Sequence, residues 1–304
     1  CLILGNSGQG KSFLLKLILT NFRESGKRVV SLDPEAEYEE LTKALGGCYI
    51  DFMSGEYIIN PLEPKSFGDA DKEYDQFTPE AFRRVTRLSQ HIAYLKDFFR
   101  AYKDFSDEQL DTLEIILSKL YQNFGITNYT DYDKLKPTDY QHNQKNIYRE
   151  ETLQELCLGL HSMCVGTESK YFNGHTNIID DTFLCFGVKG LMDTNRRLKD
   201  AMLFNVLSYM TNELLGKGNT VAAIDELYLF LTNMTAIEYI RNASKRVRKK
   251  ESSVILASQN IDDFLIEGVK EYTKPLFSIP THKFLFNAGS VEPKVYMDVL
   301  QIEE

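Results

Sequence analysis

The feature that most constrains the fold is a glycine-rich run, GNSGQGKS, at residues 5–12. It follows the apolar segment CLIL, which predicts a short buried strand, and it precedes an amphipathic stretch that predicts a helix from Lys11 to Ser25, ended by Gly26. The run fits G-x-x-x-x-G-K-[ST], in which glycines let backbone N–H groups converge on phosphate oxygens. Because a strand before and a helix after are the context that this loop requires, the sequence predicts a nucleoside-triphosphate site.

Each polar residue type in this loop has a chemical reason. Lys11 is expected to neutralise charge on the β- and γ-phosphates, and the Ser12 hydroxyl is expected to coordinate Mg²⁺, so the predicted cofactors are ATP and Mg²⁺. The predicted nucleotide-binding residues are Gly5, Asn6, Ser7, Gly8, Gln9, Gly10, Lys11, Ser12 and Phe13.

The rest of the chain alternates between strand and helix patterns on either side of a helical block. This alternation predicts an α/β fold with a parallel sheet flanked by helices, in which 1–65 and 176–304 form one core and 66–175 an all-α insertion. Within the insertion, Ser106 and Gln109 are predicted to form a capping box that starts a helix. Its predicted apolar stripe is Leu110, Leu113, Ile116, Leu117 and Leu120.

Composition narrows the class of protein. A net charge of −9 argues against a protein that coats nucleic acid over its whole surface. The five cysteines contain no C-x-x-C pair, which favours a reducing compartment over a disulfide framework. No apolar run approaches the roughly 20 residues that span a bilayer. Because the chain opens at Cys1 without a methionine, we expect it to be the core of a longer protein whose other parts hold an anchor or a further domain.

Two acidic residues, Asp225 and Glu226, end the apolar strand pattern of NTVAAIDE. A carboxylate there can hold Mg²⁺ through its water shell, and a second can polarise an attacking water. The alternative is that both residues only cap and charge the start of a helix. The phosphate loop in the same chain favours the catalytic interpretation, and a water-activating glutamate favours a hydrolase over a kinase.

Two further candidates lie at strand and helix ends. Gln259 follows the strand pattern SSVILAS and is predicted to sense the γ-phosphate, provided that this strand lies beside the one bearing the loop; the alternative is a helix start at Asn260. The basic run SKRVRKK holds Arg248, our first candidate for an arginine finger in a neighbouring subunit, and Arg246, our second. Solvated charge at a helix end and contact with DNA phosphates are the alternatives.

Two other clusters have simpler explanations. In DPEAEY, Asp33 is expected to cap a helix whose first residue is Pro34. Cys157, His161 and Cys164 share one face of a predicted helix with several apolar residues, so we expect a core stripe rather than a metal site.

Several separated segments together resemble one family. LGNSGQGKSFLLK, SLDPEAEYEEL, IINPLEP, FNGHTNI, AAIDELYLFL, RVRKKESSVILASQNIDDF and KFLFNAGSVEPKVYMDVL are similar, in that order, to the ATPase core of the VirB/TraE-type conjugative-transfer ATPases of type IV secretion systems, within the HerA-FtsK group of P-loop proteins. The resemblance covers nearly the whole chain apart from the helical block.

The resemblance implies a RecA-like core with an all-α insertion, ATP hydrolysis that powers transfer or machine assembly, and a homo-oligomer, often hexameric. Further implied partners are other secretion components, including the coupling ATPase, and DNA. The implied location is the cytoplasmic face of the bacterial membrane, with attachment through partners or through a separate N-terminal domain. The family's motifs fall on 5–12, Asp225 with Glu226, Arg248 with Lys249, and Gln259. Two rival functions are a HerA-FtsK-type DNA translocase and a scaffold that uses nucleotide only as a structural switch.

Overall fold

The computed structural model describes residues 1–65, 87–126, 148–179, 181–231, 233–259, 264, 270–287, 297 and 300. These residues form two compact units. The first comprises Cys1–Ser54, Ile179–Thr194 and Val206–Glu304, and the second comprises Gly55–Ile178 and Asn195–Asn205. The boundaries of the helical unit therefore differ from the predicted 66–175 insertion, since it includes 55–65 and a segment near residue 200.

Within the described residues, the first unit is built on a seven-stranded sheet whose paired strands are all parallel. Its order is β3-β4-β2-β5-β6-β1-β7. The strands are β1 (Leu2–Leu4), β2 (Arg28–Asp33), β3 (Cys48–Asp51), β4 (Phe183–Gly187), β5 (Thr220–Ile224), β6 (Ser253–Ser258) and β7 (Lys283–Leu285). The predicted fold class, a parallel sheet flanked by helices, is confirmed.

Helices cover both faces of this sheet, which explains why its central strands β2, β5 and β6 are buried almost throughout. On one face, α1 (Lys11–Glu24) buries Leu15 and Leu19 against alternate residues of the strands. On the other face, Phe186 of β4 stacks edge-on against Tyr209 of α7 (Arg196–Asn212), with ring centroids 5.6 Å apart. Other described helices of this unit are α2 (Glu39–Ala44), α8 (Met234–Arg246) and α9 (Lys270–Ser278).

The helix expected to start at Pro34 begins instead at Glu39, and that expectation was wrong. Asp33 does not cap a helix at Pro34. Its carboxylate accepts the backbone N–H groups of Glu37 and Tyr38, at 3.0 and 2.9 Å, and these bonds hold residues 34–38 as a loop. A short polar side chain often competes with helical hydrogen bonding in this way.

The second unit is helical, and its described helices are α3 (Arg87–Lys103), α4 (Asp107–Asn123), α5 (Glu150–Cys164), α6 (Ser169–Phe172) and the first part of α7. Aromatic rings fill its core; Phe98 meets Phe172 edge-on at 5.8 Å, and Tyr94 stacks on Phe204 at 5.5 Å. The segment 127–147 lies outside the described residues.

Sequence predictions within this unit are confirmed in part. Ser106 and Gln109 form the predicted capping box at the start of α4. Leu110, Leu113 and Leu117 are buried as expected, whereas Leu120 is exposed. In its place Thr112 and Tyr121 complete the buried face of α4.

On α5 the expected core stripe is confirmed for two apolar residues, which are buried, and is wrong for the two cysteines, which are exposed. Leu156 and Met163 are buried, whereas Cys157 and Cys164 are exposed. Within the described residues, no group of three or more histidine, cysteine or acidic residues is arranged to hold a metal ion. Nor does any described helix combine the length and hydropathy that a bilayer-spanning segment needs.

Two of the segments that carry the family resemblance are hydrogen-bonded to each other within the helical unit. The Asn60 side chain donates to the carbonyl of Gly174 at 2.8 Å. The Asn177 side chain accepts one backbone N–H and donates to one carbonyl of the first segment, both at 2.7 Å. We call residues 55–65 and 172–178 the root segments of this unit.

Candidate active site

The carboxyl ends of adjacent parallel strands bring the predicted site residues to one edge of the sheet. β1 ends at the phosphate loop, β5 at Asp225, and β6 at Gln259. Because β6 pairs with both β1 and β5, Gln259 lies on the strand between the loop and the acidic pair. The strand that precedes Gln259 therefore lies beside the strand that bears the loop, which is what the prediction for Gln259 required. Open parallel sheets bind ligands at this edge.

The phosphate loop has the backbone that its glycines predict. Gly8 and Gly10 have left-handed φ values of 75° and 92°, and Gly10 directly precedes the first residue of α1. Gly5 is required for another reason, since a Cβ there would lie 2.4 Å from Cβ of Phe286. The loop therefore presents the backbone N–H groups at the start of α1, which is the arrangement that binds phosphate.

Three side chains near the loop differ in exposure. Lys11 is buried, and its Nζ donates to the carbonyl of Asn6 at 3.0 Å, so the lysine folds back over the loop. Ser12 is half-buried on the first turn of α1. The Phe13 side chain is 74% exposed, an unusual state for an aromatic residue, although the sequence placed it among the nucleotide-binding residues.

Asp225 is held by two hydrogen bonds, one to each carboxylate oxygen. Oδ1 accepts the backbone N–H of Glu226 at 3.0 Å, and Oδ2 accepts the hydroxyl of Tyr38 at 2.8 Å. Burial raises the pKa of Asp225, and the bond from Tyr38 opposes that rise. A buried carboxylate with both oxygens oriented suits the water shell of a magnesium ion.

Glu226 has one bonded and one unbonded oxygen. Oε1 accepts a hydrogen bond from Nε2 of Gln259, whereas Oε2 is buried and has no partner among the described residues. Burial raises the pKa of Glu226, and the charge of Asp225 raises it further. The backbone of Glu226 is left-handed, with φ 52°, a conformation that costs of order 1 kcal/mol and clusters at functional sites. A buried, strained carboxylate with one unbonded oxygen fits a group that receives a proton from water.

Arg248 does not lie at this edge. It belongs to the 3₁₀ turn Val247–Lys250, which precedes β6, and it lines a cavity of about 440 Å³ with Cys1 and His282 at the amino ends of the strands. The six residues of β6 span about 20 Å at ~3.3 Å per residue, so Arg248 is too far from its own chain's phosphate loop to act there.

Tyr38 is a site residue that the sequence argument missed. Tyr38 is 1% exposed, and it belongs to the core that α1 covers. Its hydroxyl donates a hydrogen bond to Asp225. Burial and the adjacent carboxylates raise the pKa of Tyr38 well above its ordinary value, which keeps the hydroxyl protonated as a donor. The signal was present in the DPEAEY segment, whose composition alone is explained equally well by helix capping.

The chain is similar to several known proteins. Residues 1–156 match the family model described as helicase HerA, central domain. The structure of VirB4 of Thermoanaerobacter pseudethanolicus is similar, with 31% sequence identity and a TM-score of 0.80, over 99% of this chain and 80% of that one. Protein TraC of Escherichia coli is 21% identical over 299 residues, which are 95% of this chain and 32% of TraC. The chain thus spans about a third of TraC. The chain belongs to the HerA central-domain family and, within it, to the VirB4 proteins.

Proposed function

We propose that this chain is an ATP-hydrolysing core that powers conjugative transfer of DNA and protein, or assembly of the type IV secretion machine that performs it. One observation carries the proposal: the phosphate loop, Asp225, Glu226 and Gln259 share one edge of the sheet, and Glu226 keeps a buried oxygen without a partner among the described residues. Such a set matches the parts that P-loop hydrolases require.

The loop and α1 bind the triphosphate. Backbone N–H groups between Gly5 and Ser12 bind its oxygens, and Lys11 turns from the Asn6 carbonyl to the β- and γ-phosphates. Ser12 and Asp225 are the residues that would hold Mg²⁺, Asp225 through water. When bound, the ion supplies neutralisation of the charge that develops on the phosphates.

Glu226 acts as the general base. Its Oε2 accepts the proton of the attacking water, and its raised pKa makes it a stronger base than an exposed glutamate. The hydrogen bond from Gln259 to Oε1 fixes the direction of the carboxylate. Gln259 follows β6, the strand beside the one that bears the loop, so its side chain can also contact the γ-phosphate. It thereby links the general base to the state of the bound nucleotide.

Phe13 contributes to binding of the nucleoside. It lies two residues beyond Lys11 on the first turn of α1, and its ring is exposed beside the loop. An exposed aromatic ring offers a stacking surface for a base. We therefore assign the ring to the adenine and the backbone of this turn to the phosphates.

The test of this function is a matched pair of substitutions. Glu226→Gln removes the base but keeps size and hydrogen-bonding capacity, so ATP binding persists while turnover falls by about 100-fold or more. Glu39→Gln is the control, since the Glu39 side chain forms an ion pair with Lys43, at 2.6 Å, along α2. Measured rates that are equal for Glu226→Gln and wild type would refute the base assignment.

Arg248 is proposed to complete the site of a neighbouring copy in a homo-oligomer, with a hexamer as the expected form. Its position at the edge opposite its own loop supports action in trans. Turnover per subunit then rises with protein concentration, and Arg248→Ala flattens that rise. A wild-type rate per subunit that stays constant across the range where assembly changes would remove support for the trans role.

The proposed setting is the cytoplasmic face of the bacterial membrane, among other secretion components that include the coupling ATPase. The net charge of −9 favours a motor acting on protein partners over one that coats DNA. Turnover that increases with duplex length would instead assign the chain to the DNA translocases. Tight ATP binding with negligible turnover after assembly would assign it to nucleotide-switched scaffolds.

A further inference from the structure

The hydrogen bond between Tyr38 and Asp225 links two strand ends that the proposed mechanism does not otherwise connect. We propose that Tyr38 is a positioning residue, which holds the Asp225 carboxylate in the orientation that the water shell of Mg²⁺ needs. This inference rests on the proposed function and adds a residue to it that acts through Asp225. The observation behind it is the 2.8 Å bond from the Tyr38 hydroxyl to Oδ2.

The two bonds to Asp225 determine its orientation together. The N–H of Glu226 reaches Oδ1, and the Tyr38 hydroxyl reaches Oδ2. The first bond is local and comes from the next residue, so on its own it leaves the carboxylate plane free to rotate. A second donor on the other oxygen, from a residue 187 positions away in sequence, removes that freedom. Support of this kind behind a metal-binding group commonly changes metal affinity by about 10- to 100-fold.

Tyr38 can serve this purpose because it is itself held rigidly. Its backbone N–H donates to Asp33 at 2.9 Å, and its carbonyl accepts both the backbone N–H and the hydroxyl of Thr42 at 2.8 Å. The ring is packed in the core, with Nζ of Lys16 5.3 Å from its centroid. The hydroxyl therefore reaches Asp225 from a side chain that has few alternative positions.

Chain architecture supplies the reason for this arrangement. β2 and β5 are neighbours in the sheet, with Leu32 opposite Ile224, so the residues that follow them meet at the same edge. The Asp33 carboxylate then turns the chain after β2 into a loop that returns Tyr38 toward β5. A helix starting at Pro34 would not contain these loop bonds.

The experiment compares two substitutions, each of which removes the hydroxyl group of one tyrosine. Tyr38→Phe removes the hydroxyl that reaches Asp225. Tyr49→Phe removes a hydroxyl that donates to Asp33 at 3.2 Å. Binding of a fluorescent ATP analogue is titrated with Mg²⁺ for wild type and both variants, and thermal unfolding confirms that each is folded. We expect Tyr38→Phe to need about tenfold more Mg²⁺ for its half-maximal effect, with Mg²⁺-free binding unchanged and Tyr49→Phe like wild type.

The possible outcomes distinguish a failure of this inference from a failure of the proposed function. A Tyr38→Phe variant that responds to Mg²⁺ as wild type does would overturn the inference alone. Equal shifts in Tyr38→Phe and Tyr49→Phe would also overturn it, because the effect would then come from the Asp33 loop as a whole. A wild-type chain whose nucleotide binding ignores Mg²⁺ would overturn the proposed function and this inference with it.

Discussion

Asp33→Asn is the substitution that tests most directly how the edge of the sheet is organised. Asp33 is completely buried at the end of β2. Its Oδ1 accepts the N–H of Glu37, and its Oδ2 accepts both the N–H of Tyr38 and the hydroxyl of Tyr49. Asparagine has nearly the same volume, so the substitution leaves no cavity and changes only the hydrogen bonding and the charge.

The expected loss of stability can be worked out bond by bond. In the variant, the single amide oxygen of asparagine is best placed in the position of Oδ2, because there it keeps the hydrogen bonds from Tyr38 and Tyr49. The amide NH₂ then takes the position of Oδ1 and faces the N–H of Glu37. That donor loses its partner, at a cost of about 1–2 kcal/mol. The two remaining bonds change from a charged to a neutral acceptor, which weakens each by about 1 kcal/mol. Removing a buried charge offsets part of this, so we expect the free energy of unfolding to fall by about 3 kcal/mol.

Urea unfolding of wild type and Asp33→Asn measures this difference, and Asp51→Asn is the matched control. Asp51 is exposed, and its carboxylate oxygen accepts a single backbone N–H, from Met53 at 2.9 Å, so its substitution should cost less than about 1 kcal/mol. Hydrogen exchange at the amides of Glu37 and Tyr38 provides a local measurement. Both amides should exchange faster in Asp33→Asn and at the wild-type rate in Asp51→Asn.

Two results would refute the reasoning. One is a loss of stability no greater than that of Asp51→Asn, which would mean that the three bonds to Asp33 contribute little. The other is unchanged exchange at Glu37 and Tyr38, which would mean that something other than the carboxylate holds the loop.

Three further predictions test other parts of the chain. Phe13→Ala should weaken ATP binding by about tenfold and leave tripolyphosphate binding unchanged, as measured by calorimetry; equal losses for both ligands would contradict base stacking. His91 is buried in the helical unit, and burial lowers its pKa from 6.5 to about 3, so protonation favours the unfolded state. The contribution of His91 to the free energy of unfolding should therefore be constant above about pH 6.5 and fall by about 2 kcal/mol by pH 5, so urea titrations should show a smaller loss over this range in His91→Gln than in wild type. Gly5→Ala should lower the melting temperature more than Gly8→Ala, because only the former places a Cβ against Phe286; equal shifts would show that backbone strain alone matters.

Much of the fold and site followed from the sequence because the signals were local. The phosphate loop needs glycines with particular backbone angles, and strand ends in a parallel sheet meet at one edge, so Asp225 and Gln259 could be placed beside the loop. The capping box at Ser106 depends on residues only three positions apart. The roles of the site residues remain proposals.

What the sequence could not predict depends on contacts between distant residues. The partner of Tyr38 is 187 positions away, and nothing in DPEAEY distinguishes a capped helix from a loop closed by Asp33. Leu120 fits the helical period of α4, yet it is exposed while Tyr121 is buried, because periodicity shows which residues share a face and not where the covering element ends.

The bonded root segments have a consequence for how this protein family can vary. Asn60 and Gly174 are 114 positions apart, yet their hydrogen bond brings both ends of the intervening chain together. Once such ends are joined, doubling the length of the chain between them adds only about 0.6 kcal/mol of closure entropy. Insertions in the connections between the helices of this unit should therefore be tolerated far better than changes within the root segments. Relatives would then differ most in the length of these connections and keep Asn60 and Asn177, whose side chains bond one root segment to the other.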